Sequence, residues 1–79
     1  MVLIKELTIQ NWKELRGQPL TVLVSVKKTR QLGMVTYLEG AYKIHWNDGY
    51  WRSVIGSSVG DLIERGAKIY DFFYVEINP

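Results

Sequence analysis

A chain of 79 residues without cysteine is expected to form one domain, residues 1–79, whose stability comes from apolar packing, since disulfides and thiolate metal sites are excluded. The net charge of +2 is uneven. Residues 1–30 hold six basic and two acidic side chains, which predicts a polarised surface rather than a nucleic-acid-binding stripe. No apolar run approaches the roughly 18 residues of a membrane span, and residues 1–6 are too short for a signal peptide. We therefore predict an intracellular, cytoplasmic protein.

The first predicted helix covers residues 9–16 and follows a short strand or ordered arm at residues 2–4. Thr8 has the position of an N-cap, and Leu7 and Trp12 have the spacing of a hydrophobic staple. A helix this short is unstable alone, so we expect its apolar residues to pack on a sheet.

The middle of the chain is predicted to form a meander of antiparallel strands. Residues 20–27 alternate valine with other residues, as in a strand with one buried face. The polar residues 28–32 predict a loop or a wide turn, and residues 34–38 predict the next strand. Such successive connections are typical of a meander.

Residues 41–55 contain the strongest turn signal, because two strand-type runs flank the Asn-Asp-Gly sequence at 47–49. A two-residue loop of the aspartate and the glycine pairs Trp46 with Trp51 and separates apolar from polar side chains. We prefer it for that reason. The alternative is a three-residue loop with the glycine as a left-handed bulge, which places Arg52 among the aromatic side chains.

The last part of the chain predicts a second helix and a long strand. Ser58 is a candidate N-cap with Asp61 at the acidic position of a capping box, and Gly66 ends a helix of about two turns. Residues 68–77 alternate with aromatic side chains on both faces. This is typical of a central strand or of one covered by a helix or a second protomer.

These elements predict an α+β fold. We expect a small twisted antiparallel sheet of about five strands, curled or barrel-like, with two short helices. Residues 2–4 or 68–77 at an edge of the sheet could pair with another copy, since unprotected edge strands invite pairing. The number of aromatic side chains, three Trp, five Tyr and two Phe, also favours a homodimer.

Catalytic chemistry has little support in the sequence. His45 is the one histidine, and no strained nucleophile turn surrounds Ser57 or Ser58. Capping explains Ser58 better than nucleophilic attack does. No cluster supplies metal ligands, so we predict no enzyme activity, no cofactor and no metal.

Two groups of residues are candidates for binding. The predicted outer face of the hairpin combines cations with an exposed aromatic ring in Lys43, His45, Tyr50 and Arg52. Arginine and tyrosine dominate protein interfaces and also stack on bases or nucleotides, although an ordinary solvated sheet face accounts for these residues equally well. A basic loop carries Lys27, Lys28 and Arg30. We predict a protein partner first and a nucleic acid or nucleotide second, with no membrane.

Two stretches carry a resemblance to a group of known proteins. Leu15-x-Gly17-x-Pro19 leads from a short helix into a valine-rich strand, and a Gly-Ala-Lys-Ile-Tyr sequence at 66–70 leads into the last strand. This layout resembles that of small accessory proteins encoded by bacteriophages, over most of the chain and without a specific motif. The resemblance implies a protein that binds and inhibits a host enzyme or a defence component, or that sequesters a nucleotide signal. It carries over no functional residue.

Overall fold

The computed structural model describes residues 1–38, 40–49, 51–53 and 58–77, with the backbone alone for residues 38 and 51–53. Its elements in chain order are β1 (Val2–Glu6), α1 (Ile9–Leu15), β2 (Val22–Val26), β3 (Leu32–Leu38), β4 (Ala41–Trp46), β5 (Trp51–Ser53), α2 (Val59–Gly66) and β6 (Tyr70–Ile77). The predicted α+β class, with an antiparallel sheet and two short helices, is confirmed.

All six strands form one antiparallel sheet in the order β1-β6-β2-β3-β4-β5. The predicted meander from β2 to β5 is confirmed, and β6 lies between β1 and β2. Within the described residues β1 and β5 are the two edges and do not pair, so the sheet is open. The prediction of a barrel-like sheet is therefore wrong, and the strand count is six rather than five.

The position of β6 decides between the two predicted edges. Residues 2–4 belong to the edge strand β1, as predicted, whereas the strand at 70–77 is central. β6 carries large apolar side chains on both faces, so it gains more from two neighbouring strands than from one. Of the two alternatives for an edge strand, the one at residues 68–77 is wrong, and the central position that its alternation also predicted is confirmed.

Both predicted N-caps are confirmed. The Thr8 hydroxyl accepts a hydrogen bond from the Asn11 backbone N–H at 3.3 Å, and the Asn11 side-chain oxygen accepts one from the Thr8 N–H at 2.6 Å. This is a reciprocal capping box, with asparagine where glutamate or glutamine is usual. At the start of α2, the Ser58 hydroxyl accepts from the Asp61 N–H at 3.2 Å.

The hydrophobic core lies between the two helices and a single face of the sheet. Its buried members are Leu7, Val22, Val24, Ile44, Val59, Leu62, Ile63 and Phe72. Ile9, Trp12 and Leu15 bring α1 against this cluster. Because strand residues alternate between faces, the helices cover one face of the sheet and leave the other without a layer in the described part of the chain.

The register of the β4–β5 hairpin corrects the preferred loop. Ile44 pairs with Arg52 and His45 with Trp51, which leaves a three-residue loop at 47–49. The Gly49 N–H donates to the Trp46 carbonyl at 3.0 Å, and Gly49 has a φ of +92°. A two-residue type I′ loop would also require a positive φ at Asp48, a conformation that aspartate adopts at an energetic cost.

Candidate functional site: the open face of the sheet

We call the face of the sheet opposite the helices the open face. Alternation and strand register assign to it Val2, Ile4, Glu6, Leu23, Ser25, Leu32, Met34, Thr36, Lys43, His45, Asp71, Phe73, Val75 and Ile77. The helix-covered face carries the alternate residues, such as Val24, Ile44 and Phe72, which are in the core. The two faces therefore differ in which elements cover them.

The open face is largely apolar and accessible to solvent. Val2, Ile4 and Ile77 are 62%, 63% and 75% exposed, and Leu32 and Met34 are 55% and 42% exposed. Leu23, Phe73 and Val75 are half-buried between them. Monomeric proteins rarely expose a contiguous apolar patch of this kind, and such patches mark interaction sites.

Charged side chains lie at opposite sides of this apolar surface. The registers align one row of residues across β1, β6, β2, β3 and β4: Glu6, Phe73, Leu23, Met34 and His45. With strands about 4.8 Å apart, this row spans about 19 Å. A carboxylate thus stands on one side, and the imidazole of His45 with the neighbouring Lys43 stands on the other.

The structure brings together only part of the predicted hairpin site. Lys43 and His45 lie on the open face, where Lys43 is half-buried and His45 is exposed. The backbone register pairs Arg52 with Ile44, so the pairing of Arg52 with His45 that the two-residue loop predicts is wrong. One extra loop residue shifts β5 by one position, which reverses its alternation. Tyr50 lies outside the described residues.

The predicted basic loop is the turn between β2 and β3, and its three cations, Lys27, Lys28 and Arg30, are exposed there. The Lys27 ammonium nitrogen lies 3.8 Å from Asp71 Oδ1. The Gln31 side-chain amide donates to Asp48 Oδ2 at 3.1 Å, which joins this turn to the hairpin loop. Carboxylates at both contacts lower the local positive potential of the turn.

The backbone of this basic turn has a defined geometry. Arg30 has a φ of +61°, and among the described residues no other non-glycine residue has a positive φ. Its N–H donates to the Val26 carbonyl at 2.7 Å, and the Val26 N–H donates to the Gln31 carbonyl at 2.9 Å. These bonds hold the turn in one conformation and direct its cations to solvent.

A cavity lies where α1 begins and α2 approaches the start of β6. Its volume is about 410 Å³, and its lining includes Leu7, Ile63 and Phe72 together with Glu64. Within the described residues no three side chains of the metal-ligating types come together to hold an ion. Ser58 serves as the cap of α2, and Ser57 lies outside the described residues.

Membrane insertion through a helix finds no support, because neither described helix has the length and apolar character that a bilayer span requires.

The chain matches no protein-family model, no curated protein and no solved structure. The resemblance to bacteriophage accessory proteins therefore remains a prediction from layout.

Sequence reasoning missed most of the open face as a site. The signal was present in β6, where aromatic and aliphatic residues occupy both faces, Phe73 and Val75 on one and Phe72 and Tyr74 on the other. This signal was ambiguous, because a helix, a neighbouring layer or a partner protein could each cover the second apolar face of β6. Only the placement of both helices on the Phe72 side shows that Phe73 lies on the uncovered side.

Proposed function

We propose that this chain is a non-enzymatic binding protein that contacts a protein partner through the open face. The observation that carries the proposal is the continuous apolar surface from β1 to β3, with Ile4, Met34 and Leu32 exposed by 63%, 42% and 55%. Transfer of such surface from water releases about 25 cal/mol per Å², which is the main driving force of protein association.

The shape and charge of the open face favour a protein over other ligands. A shallow depression of about 250 Å³ lies on this face between β2, β3 and β4. Small-molecule sites are concave and enclose most of the ligand. Nucleic-acid surfaces are rich in cations, whereas this face carries Glu6 and Asp71 as well as Lys43.

Inhibition by coverage is the mode of action that we propose for such a domain. A face of this size can block a surface of its partner without chemistry of its own, since a stable interface needs only about 800 Å² per partner. From the layout of the chain, we further propose that it is a bacteriophage accessory protein. It would act in the cytoplasm on a host or defence protein.

Site-specific photo-crosslinking tests this function. A benzophenone amino acid at Met34 probes the open face, and the same residue at Lys13 on the exposed side of α1 is the matched control. We expect one defined adduct from position 34 in cells that express the protein, and none from position 13. Equal adducts from both positions, or no adduct from either, would contradict the proposal.

Nucleic-acid or nucleotide binding is the second candidate, and the ordered basic turn supports it. Lys28 and Arg30 are both exposed in a turn whose backbone is held by hydrogen bonds between Val26 and residues 30 and 31. Phosphate contacts would make the affinity for a single-stranded oligonucleotide fall steeply with salt. The charge reversals Lys28→Glu and Arg30→Glu should abolish binding at low salt. A salt-independent affinity, or one unchanged by the reversals, would count against this candidate.

A further inference from the structure

We propose that the occupant of the open face is a second copy of this chain, packed face to face about a two-fold axis parallel to the strands. This inference rests on the proposed function, because it names the partner of the same surface. Inhibition of a different protein through this face would then require the dimer to dissociate. Three properties of the face support it: its size, the placement of its charges and the fit of its apolar side chains.

The size of the face is adequate for a stable dimer. The five strands from β1 across to β4 overlap when the axis runs along β2, and β5 lies outside the overlap. At a spacing of about 4.8 Å and a length of about 20 Å, they give a plane of roughly 480 Å² before side-chain relief is counted. Side-chain relief increases this area. The surface that each copy buries when two such faces pack about 10 Å apart therefore approaches the roughly 800 Å² per partner of a standard interface.

The charges select the direction of the axis. A two-fold axis that runs along β2 reverses the order of the strands in the second copy. Each residue keeps its position along the strand direction, so residues of one row face residues of the same row. Because Glu6 and His45 occupy the same row, Glu6 then faces His45 of the second copy, with Lys43 beside it. An axis perpendicular to the strands would instead place β4 opposite β4 of the second copy, so Lys43 would face the strand that carries Lys43 and His45 and not the strand that carries Glu6.

The apolar side chains fit the same operation. Leu23 lies on the axis and meets Leu23 of the second copy, and Phe73 meets Met34 from the opposite sheet. The depression of about 250 Å³ is lined by Leu23, Leu32 and Met34, so it lies where Phe73 of the second copy arrives. Each copy therefore supplies both the Phe73 ring and the depression opposite it, as an isologous interface requires.

The first test is the oligomeric state of the intact chain by sedimentation velocity over the micromolar range. We expect the wild type to sediment as a dimer. Met34→Glu, which places a charge beneath Phe73 of the second copy, should sediment as a monomer with an unchanged circular dichroism spectrum. Lys13→Glu, an equivalent exposed change on α1, should remain a dimer.

A charge swap tests the arrangement itself. Glu6→Lys and Lys43→Glu should each weaken the dimer by about tenfold or more, because each places like charges opposite one another. An equimolar mixture of the two variants should restore a dimer, and native mass spectrometry should show one copy of each. The pair Glu14→Lys and Lys13→Glu on α1 is the control and should change nothing.

Each outcome supports or overturns the inference. A monomeric wild type, or a dimer indifferent to the charge swap, would overturn it. A dimer that survives the swap and is lost with Ile4→Pro would place the contact at the β1 edge instead. With a monomeric wild type, a Met34 photo-adduct to a different protein would retain the proposed function, and absence of any adduct would contradict both.

Discussion

Gly33 on β3 lies directly against Ile44 on β4. A Cβ atom at position 33 would be 2.7 Å from Ile44 Cγ2 and 2.8 Å from Trp46 Cε3, both shorter than van der Waals contact. Ile44 is completely buried, and Gly33 pairs with Trp46 across the two strands. The missing side chain at 33 leaves the space that these two neighbours fill on the helix-covered face.

Gly33→Ala is therefore expected to lower the free energy of unfolding by about 1–3 kcal/mol, the usual cost of overpacking a core. Urea unfolding followed by tryptophan fluorescence measures this loss. Gln10→Ala is the control, since its side chain is exposed on α1 and lies away from both Gly33 and the open face. Alanine lowers the conformational entropy of the unfolded chain, so it stabilises a protein wherever its side chain fits. A Gly33→Ala variant that is as stable as the wild type, or more stable, would therefore contradict the close approach.

The hairpin loop makes a second prediction, which distinguishes the observed register from the two-residue loop. Gly49 has a φ of +92°, whereas Asp48 has a negative φ. Gly49→Val should cost about 1–2 kcal/mol, and Gly49→Asn should cost less, because asparagine tolerates the left-handed region. Asp48→Gly decides between the loops. It should destabilise the observed loop by up to about 1 kcal/mol, whereas a type I′ loop would gain from it. Urea unfolding again gives the free energies.

Local signals in the sequence predicted most elements of the fold. Thr8 and Ser58 could be predicted as N-caps because each side-chain oxygen accepts a hydrogen bond from a backbone N–H only three residues later. No distant part of the chain is involved. The alternation of β6 likewise follows from strand geometry, which places Phe72 and Phe73 on opposite faces.

Features that depend on distant parts of the chain could not be predicted in this way. The register of the hairpin occurs together with a negative φ at Asp48 and with a hydrogen bond to Asp48 from Gln31, which lies in a different turn. The open face depends on which side of the sheet both helices choose. Alternation at Leu23 and Met34 indicates two faces but does not state which one receives the helices.

The capping box of α1 makes a third prediction. The Asn11 side-chain oxygen accepts from the Thr8 N–H at 2.6 Å, and its amide donates to the Glu6 carbonyl at 2.8 Å. Asn11→Ala removes both bonds, so we expect a loss of about 1–2 kcal/mol. That loss corresponds to a fall in Tm of about 4–15 °C for a domain of this size.

The comparison with Asn11→Asp separates the two bonds. Aspartate keeps the acceptor for Thr8 and adds a favourable negative charge to the first turn, but it loses the donor to Glu6. Its Tm should lie between those of the wild type and Asn11→Ala. Gln10→Ala, an exposed change in the same helix, should leave the Tm nearly unchanged. Equal melting of the aspartate and alanine variants would show that the acceptor contributes nothing.

The ion pair between Lys5 on β1 and Glu76 on β6 makes the last prediction, a dependence of stability on pH. The hydrogen bond to Glu76 and its negative charge raise the pKa of Lys5 above the ordinary value for lysine. A raised pKa in the folded state stabilises the protein while the ammonium is charged in both states. That stability is lost as the pH rises through the pKa of the folded state.

Lys5→Gln should therefore lower the stability by a small amount that is constant near neutral pH and shrinks above about pH 10. The amount is small because both side chains are more than a third exposed, and it should fall with added salt. Urea unfolding at a series of pH values measures it. In a Glu76→Gln background the effect of Lys5→Gln should vanish at every pH. A difference that persists in that background would assign the effect of Lys5 to packing of its aliphatic chain.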